Sequence, residues 1–299
     1  MLRIRKYLLK DKLIKKDMVI VNVSDIHSNL NKFREVINYI NLIEPDLVTI
    51  PGDTFDSLDN KLNNEIFDFL DELSKKVNVY ISCGNHDLLL YDKLGFFNKS
   101  HPTKDYRFFN DLKNKTNVNV LINNDEIYEV NGIKIIGFNP KYEWYSKTGE
   151  DKQVFRQIFT EYLNNINISD ESFNILLLHS CNGLIDNNQL TNSIKNINLV
   201  LSGHNHAGIT PEVIQKHSKL NRGIIGPYSK WFMTGCYGYW TKDNTSVILS
   251  NGLTKMGVSH APKLIGNITN NILKSDIDVI ELKSGNDHSL DLEKISEQK

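Results

Sequence analysis

Five short segments carry side chains able to bind metal or move protons: Asp25-Ile26-His27, Gly52-Asp53, Gly84-Asn85-His86-Asp87, His179, and Gly203-His204-Asn205-His206. Their donors are carboxylate oxygen, amide oxygen and imidazole nitrogen, a mixture that suits Mn, Fe or Zn. No Cys₄ or Cys₂His₂ spacing occurs, so a closed structural zinc site is not the reading. In an extended segment, residues two apart point to the same side. Asp25 with His27, and His204 with His206, can therefore each aim both members at one point. A glycine before Asp53, Asn85 and His204 lets the backbone turn sharply or be approached closely. Taken singly, a strand-end histidine is a packed residue and Gly-Asp is a turn. Their occurrence together, in order, argues for one shared metal site.

The elements that must position these residues follow from the apolar pattern. Met18–Ser24, Asp46–Ile50, Val77–Ser82, Phe173–Leu178 and Ile197–Ser202 are short apolar runs that predict buried strands. Phe33, Val36, Ile37 and Ile40 recur at helical spacing, as do Leu62, Ile66, Phe69, Leu70 and Leu73. The β-α-β-α-β order predicts a largely parallel sheet with right-handed crossovers. Parallel strands bring their C-terminal ends to one edge, where α/β folds bind ligands, so the five segments reach a common rim. Further helices are expected near Phe108–Lys115 and Asp151–Asn164. Asn131-Gly132 between Glu126–Val130 and Ile133–Phe138 marks a hairpin. From about Tyr228 the pattern is β only, with strands expected at Trp231–Tyr239, Thr245–Ser250 and Asp278–Leu282, and a second sheet packed on the first. Leu2 and Ile4 alternate with Arg3 and Arg5 as in an edge strand. The domain is expected to span 1–283, and 284–299 to be a polar mobile tail.

Composition sets the remaining bounds. The 299 residues, 40% hydrophobic and 24% charged, can close a core. Thirty-five basic against 36 acidic side chains leave a net charge of −1, which disfavours nucleic acid as a partner. Three cysteines make no disulfide framework and point to a reducing, cytoplasmic setting. No apolar run reaches the ~20 residues of a transmembrane helix. Residues 1–17 are basic without a continuous apolar region, which leaves only a weak peripheral membrane contact open.

The series D-x-H, G-D-x-x-D, G-N-H-D, H and G-H-x-H resembles that of the calcineurin-like metallophosphoesterases. Here it reads Asp25-Ile26-His27, Gly52-Asp53-Thr54-Phe55-Asp56, Gly84-Asn85-His86-Asp87, His179 and Gly203-His204-Asn205-His206. Within that family it looks most like the small bacterial phosphohydrolases and lipid-A-precursor-pyrophosphatase-like proteins. Two departures are Ala207-Gly208 in place of Gly-Gly and the lack of an N-terminal membrane helix. The resemblance implies an α/β fold, a two-sheet β-sandwich flanked by helices, with a dinuclear metal site at strand C-terminal ends. It implies two divalent transition-metal ions (Mn, Fe or Zn). Asp25, His27 and His206 would bind one, Asn85, His179 and His204 the other, and Asp53 would bridge them. His86 would stand outside the coordination shell as general acid or charge stabiliser. Asp87 would orient His86 or its loop, the alternative being a solvated loop carboxylate. Asp56 would be a supporting or simple turn residue. The implied reaction is hydrolysis of a phosphate mono- or diester or a pyrophosphate by a metal-bridging hydroxide. The implied substrate is a small phosphorylated molecule, such as a nucleotide, phospholipid or sugar phosphate.

A nuclease of the same fold is the alternative enzyme, but it calls for a basic or stacking groove. A silent scaffold is the alternative outside enzymes, but it calls for lost ligands, and every metal position is filled. Other residues read as structural. Cys83 and Cys181 are small buried residues. Tyr228, Trp231, Phe232, Tyr237, Tyr239 and Trp240 pack core strands rather than stack a ligand. His260 and Lys263 belong to an exposed loop, and His101, His217 and His288 have no partner pattern.

Overall fold

The computed structural model describes residues 2–55, 60–87, 107–123, 125–140, 152–181, 194, 196–210, 215, 222–226, 230–232, 235–254 and 275–298. The first half runs β1 (Leu2–Asp11), β2 (Met18–Asn22), α1 (Leu30–Ile43), β3 (Leu47–Pro51), α2 (Asn60–Ser74), β4 (Asn78–Ser82), α3 (Arg107–Lys115) and β5 (Asn119–Leu121). It continues through β6 (Ile127–Val130), β7 (Ile133–Gly137), α4 (Lys152–Asn165), β8 (Phe173–Leu177) and β9 (Leu199–Ser202). The C-terminal part holds β10 (Ile225–Gly226), β11 (Lys230–Trp231), β12 (Gly238–Lys242), β13 (Thr245–Leu249), β14 (Ser275–Ser284) and β15 (Ser289–Gln298). One sheet has the order β15-β1-β14-β2-β3-β4-β5, the other β12-β13-β9-β8-β7-β6, and β10-β11 form a small ribbon.

Strand alternation sorts the apolar side chains into layers. Ile20, Leu47, Ile175, Leu177, Leu199, Leu201 and Ile248 meet between the two sheets. Val21, Val48, Val79 and Ile81 face the other way, against Phe33, Val36 and Ile40 of α1 and Ile66 and Leu70 of α2. Leu176, Val200 and Val247 cover Phe159 and Tyr162 of α4. The result is a helix, sheet, sheet, helix sandwich, as expected. Local signals set the helix ends. The Asn29 side chain caps α1 by accepting from the Lys32 N–H, and Glu44 closes it in the left-handed conformation before Pro45. Asn131 and Gly132 both take positive φ, as a two-residue hairpin turn requires.

Four expectations need correction. β1 is not an edge strand, because β15 pairs with it antiparallel while β14 pairs with it parallel. The 284–299 segment is therefore not a mobile tail. Leu290 and Leu292 face the inter-sheet core, but Glu293 is an extra residue in a bulge where the register shifts between Lys6 and Tyr7. The bulge interrupts the two-residue period and hides the strand. The C-terminal strands do not form a sheet of their own: β12 and β13 extend one sheet, β14 and β15 the other. The strand expected at Trp231–Tyr239 is instead two, ending at Trp231 and starting at Gly238. Among the described residues no helix is long and apolar enough to cross a membrane.

Candidate metal centre

The C-terminal ends of β2, β3 and β4 from one sheet meet those of β8 and β9 from the other. Asp25, His27, Asp53, His204 and His206 all have left-handed φ, at 55°, 47°, 54°, 70° and 43°. Such conformations cost ~1–3 kcal/mol each and persist only where the surroundings enforce them. They also correct the reason for convergence: these segments turn sharply, so it is not extended-strand alternation that aims the paired side chains. Glycines make room for the turn. A Cβ on Gly84 would overlap the Asp53 carboxylate, and one on Gly203 would overlap that of Asp25.

Three groups of donors result, each with ligand atoms within 4.8 Å of one another. They are Asp25, His27 and His206; Asp53, His179 and His204; and His27, Asp53 and His86. His27 and Asp53 each belong to two groups, so the three are linked. The amide Oδ1 of Asn85 is buried on the same rim with no hydrogen-bond partner among the described residues. His86 is half-buried, its ring edge-on to His27 at 4.7 Å between centroids.

Backbone carbonyls orient two of the imidazoles. His179 Nδ1 lies 2.8 Å from Pro51 O and His206 Nδ1 lies 3.0 Å from Thr254 O. A carbonyl only accepts, so each Nδ1 carries the proton and Nε2 is presented to the centre. There His179 Nε2 stands 3.0 Å from Asp53 Oδ2, and His206 Nε2 stands 3.5 Å from Asp25 Oδ1. The Asp25 carboxylate also accepts the His204 N–H at 3.1 and 3.2 Å, and Asp53 Oδ1 accepts the His86 N–H at 2.8 Å.

Asp87 is not a solvated loop carboxylate. It is buried and accepts the backbone N–H groups of Asp53 (2.7 Å), Thr54 (2.9 Å), Phe55 (2.8 Å) and Gly84 (2.8 Å). It thus ties the turn after β3 to the turn after β4, and none of these bonds reaches the His86 side chain. Burial and the nearby Asp53 charge push its carboxyl up to about 7 against those donors.

Burial opposes ionisation of Asp53, but the His179 and His86 charges and the His179 hydrogen bond hold it well below the carboxylate range. Asp25 is lowered likewise, burial being outweighed by His206 and His179. Burial, then the His179 charge, pushes His204 down to about 3, and burial lowers His206. For His179, burial is outweighed by Asp53, and its pKa rises to about 9. Ionised carboxylates and neutral imidazoles are the forms that bind metal.

Several features escaped the sequence reading. Thr254, which orients His206, sits on a turn after β13 that carries no motif. His288 has partners after all: its Nδ1 lies 2.6 Å from Asp11 Oδ2 and its Nε2 2.9 Å from Ser246 Oγ. This is the order of a nucleophile relay, yet Ser246 is fully buried and no substrate reaches it. The contacts instead pin the β14–β15 turn to β13 across the two sheets. Burial raises Cys83 well above its usual value and Cys181 to about 12, so both are packed thiols. Tyr237 is core, Tyr239 packs edge-on to Tyr7, and Trp240 lines the α4 layer, whereas Phe232 is exposed. Asp56, His101, His217, Tyr228, His260 and Lys263 lie outside the described residues, as does the side chain of Trp231.

A family model described as calcineurin-like phosphoesterase matches residues 18–208. An uncharacterized metallophosphoesterase of Campylobacter jejuni is 27% identical over 238 residues, covering 76% of this chain and 55% of that protein. A 5'-nucleotidase precursor from Thermus thermophilus aligns with a TM-score of 0.43 at 12% identity, over 79% of this chain and 49% of the other. A dimetal phosphatase from Danio rerio aligns with a TM-score of 0.41 at 11% identity, over 81% and 88%. The chain spans about half the length of the curated relatives it matches, with shares of 55%, 44% and 53%.

Proposed function

The chain belongs to the calcineurin-like phosphoesterase family, and from that premise we propose that it hydrolyses a phosphate mono- or diester or a pyrophosphate bond of a small phosphorylated molecule. The observation that carries this reading is the adjacency of two donor groups, Asp25–His27–His206 and Asp53–His179–His204, with His27 Nε2 3.6 Å from Asp53 Oδ2, which suits two cations side by side. Asp25, His27 and His206 would hold one, Asn85, His179 and His204 the other, with Asp53 common to both. The donor set fits. Two carboxylates are held ionised, imidazole Nε2 atoms face inward, and the Asn85 Oδ1 is a buried acceptor that nothing among the described residues satisfies. Bound there, two divalent Mn, Fe or Zn ions would acidify water to supply hydroxide near neutral pH and, with only two carboxylates among their ligands, keep net positive charge for the phosphoryl oxygens.

The chain's own groups do the rest. Pro51 O and Thr254 O fix the tautomers of His179 and His206. Asp87 holds the two turns that bring Asp53 and Asn85 together. His86 stands at the rim, half-buried beside His27, with its backbone N–H anchored on Asp53. It would protonate the leaving oxygen. The three cysteines are free and buried, which supports a cytoplasmic setting.

The test is a panel of nucleotide, phospholipid and sugar-phosphate substrates with Mn²⁺, alongside His86→Ala. We expect about two Mn²⁺ per chain in both proteins. We expect kcat to fall roughly 10²–10⁴-fold in the variant on an alkyl ester, and less on a nitrophenyl ester that needs little protonation. Equal losses on both esters would remove the acid role. Wild-type protein without metal-dependent hydrolysis across the panel would sink the reading.

A further inference from the structure

The two halves of the centre rest on different supports. His179 is oriented by Pro51 O, and the Asp53 turn by Asp87, all on or beside β3 and β4. Asp25 and His206 lean in addition on the turn after β13. There Leu253 N–H donates to Ser24 O (2.9 Å), Thr254 N–H to Asp25 O (2.9 Å) and Thr254 Oγ1 to Ile26 O (2.6 Å). Thr254 O takes the His206 Nδ1 proton at 3.0 Å. Gly252, at φ +83°, lets this turn press on Asp25, since a Cβ there would lie 3.0 Å from the Asp25 Cβ.

What holds the turn is a buried ion pair between β1 and β14, two ten-residue strands that carry no ligand themselves. Asn251 Nδ2 donates to Asp276 Oδ2 at 2.6 Å, and Asp276 N–H donates to Gly252 O at 3.2 Å. Asp276 is in turn gripped by both Nε and Nη2 of Arg3, each at 2.6 Å. Arg3 and Asp276 are 1% and 0% exposed, so this grip is shielded from water and salt.

We propose that Arg3, Asp276, Asn251 and Thr254 are positioning residues for one metal position, that of Asp25, His27 and His206, and leave the other in place. This rests on the two-metal reading above. Links do cross between the halves: Asp25 N–H donates to Gly52 O at 3.2 Å, His27 N–H to Asp53 O at 2.9 Å, and His204 N–H to the Asp25 carboxylate. His204 is also held by the end of β9, where Gly203 N–H donates to His179 O at 3.0 Å. The second position therefore keeps its own scaffold when the turn loosens.

Mn²⁺ calorimetry and paramagnetic resonance on the full chain test this. In Asn251→Ala, one of the two stepwise affinities should weaken by about 10–100-fold, the range for losing a group that orients a ligand. The resonance of a coupled Mn²⁺ pair should give way to that of an isolated ion at limiting metal. Placed in a His206→Ala background, Asn251→Ala should add little. Placed in His179→Ala, it should weaken the metal that remains. Thr254→Val, which removes the bond to Ile26 O at constant shape, should act in the same direction, and Thr254→Ser should restore binding. That pair decides the matter if Asn251→Ala does not fold. Equal weakening of both positions, or of neither, in a protein whose wild type binds two ions would overturn this proposal alone. A wild type that binds fewer than two would overturn the two-metal reading and this proposal with it.

Discussion

Two clusters of buried charge lie between the sheets, and they are balanced differently. In the first, Arg5 of β1 faces Asp278 of β14, which faces Asn22 of β2, which faces Thr49 of β3, one residue from each strand in register. The row is linked by an ion pair, Arg5 Nη2 to Asp278 Oδ1 at 2.7 Å, and by two hydrogen bonds, Asn22 Nδ2 to Asp278 Oδ2 at 3.1 Å and Thr49 Oγ1 to Asn22 Oδ1 at 2.9 Å. With Arg3 and Asp276 beside it, the cluster holds two fixed cations and two carboxylates. Burial opposes the Arg5 charge, but Asp278 and Asp276 more than compensate and keep it protonated. In the metal centre, Asp25 and Asp53 are just as buried, yet no arginine or lysine is bonded to either among the described residues. Their neighbours are imidazoles, of which His204 and His206 are driven towards neutrality. Buried charge matched from within is a structural device. Buried charge left to titratable partners, beside an unsatisfied amide oxygen, is a place for a cation from outside.

The sharpest way to break that contrast is Asp53→Asn. Metal content and hydrolysis should fall together, with activity down roughly 10⁴-fold or more, as expected when the group common to both cations loses its charge. Metal analysis beside turnover checks this, and retained stoichiometry would remove Asp53 from its bridging role. The counterpart is Arg3→Met. It leaves Asp276 buried with only the longer ion pair to Arg5 Nε at 3.7 Å and should destabilise the metal-free protein by about 3–5 kcal/mol in urea unfolding. Adding Asp276→Leu should recover much of that loss, since an apolar pair can replace a buried ion pair. If Arg3→Met proved neutral, the row would not be the self-balanced cluster described above.

The smallest effect concerns protons. Asp53 raises His179 to about 9, so at pH 7 the metal-free centre holds a proton there that a cation must expel. Of the protons released on binding, the one from His179 should appear at pH 7 and vanish once the pH exceeds that value. Apparent metal affinity should rise with pH up to the same point. Calorimetry in buffers of different ionisation enthalpy reads the release directly. The arginine row has no such group and contributes nothing to it.

Much of the metal centre was legible in the chain because its signals are local. Met18 to Val21 and Leu199 to Leu201 are apolar strand runs, as is Leu47 to Ile50 but for Thr49, and the chemistry-bearing residues follow each strand within a few positions. Parallel pairing then carries them to one rim. Asp87 was legible as a residue near the site, but not as the acceptor of four backbone N–H groups, because three of those donors come from a turn more than thirty residues away. Thr254 was not legible, since the group it offers is a backbone carbonyl that every residue type possesses.

The sequence by itself determined the donor types, their order along the chain and the strand ends that display them, because hydrophobic period and turn chemistry act over a few residues. Only the tertiary structure decided how those donors group, since the left-handed turns at Asp25, His27, Asp53, His204 and His206 are enforced by packing against their local preference. It also decided that basic Arg3 is buried, because its partner Asp276 lies 273 residues away and local alternation cannot name a partner. The last strand was decided in the same way. Leu290 and Leu292 are paired by β1, and the bulge at Glu293 that accommodates them breaks the pattern from which a strand would have been read.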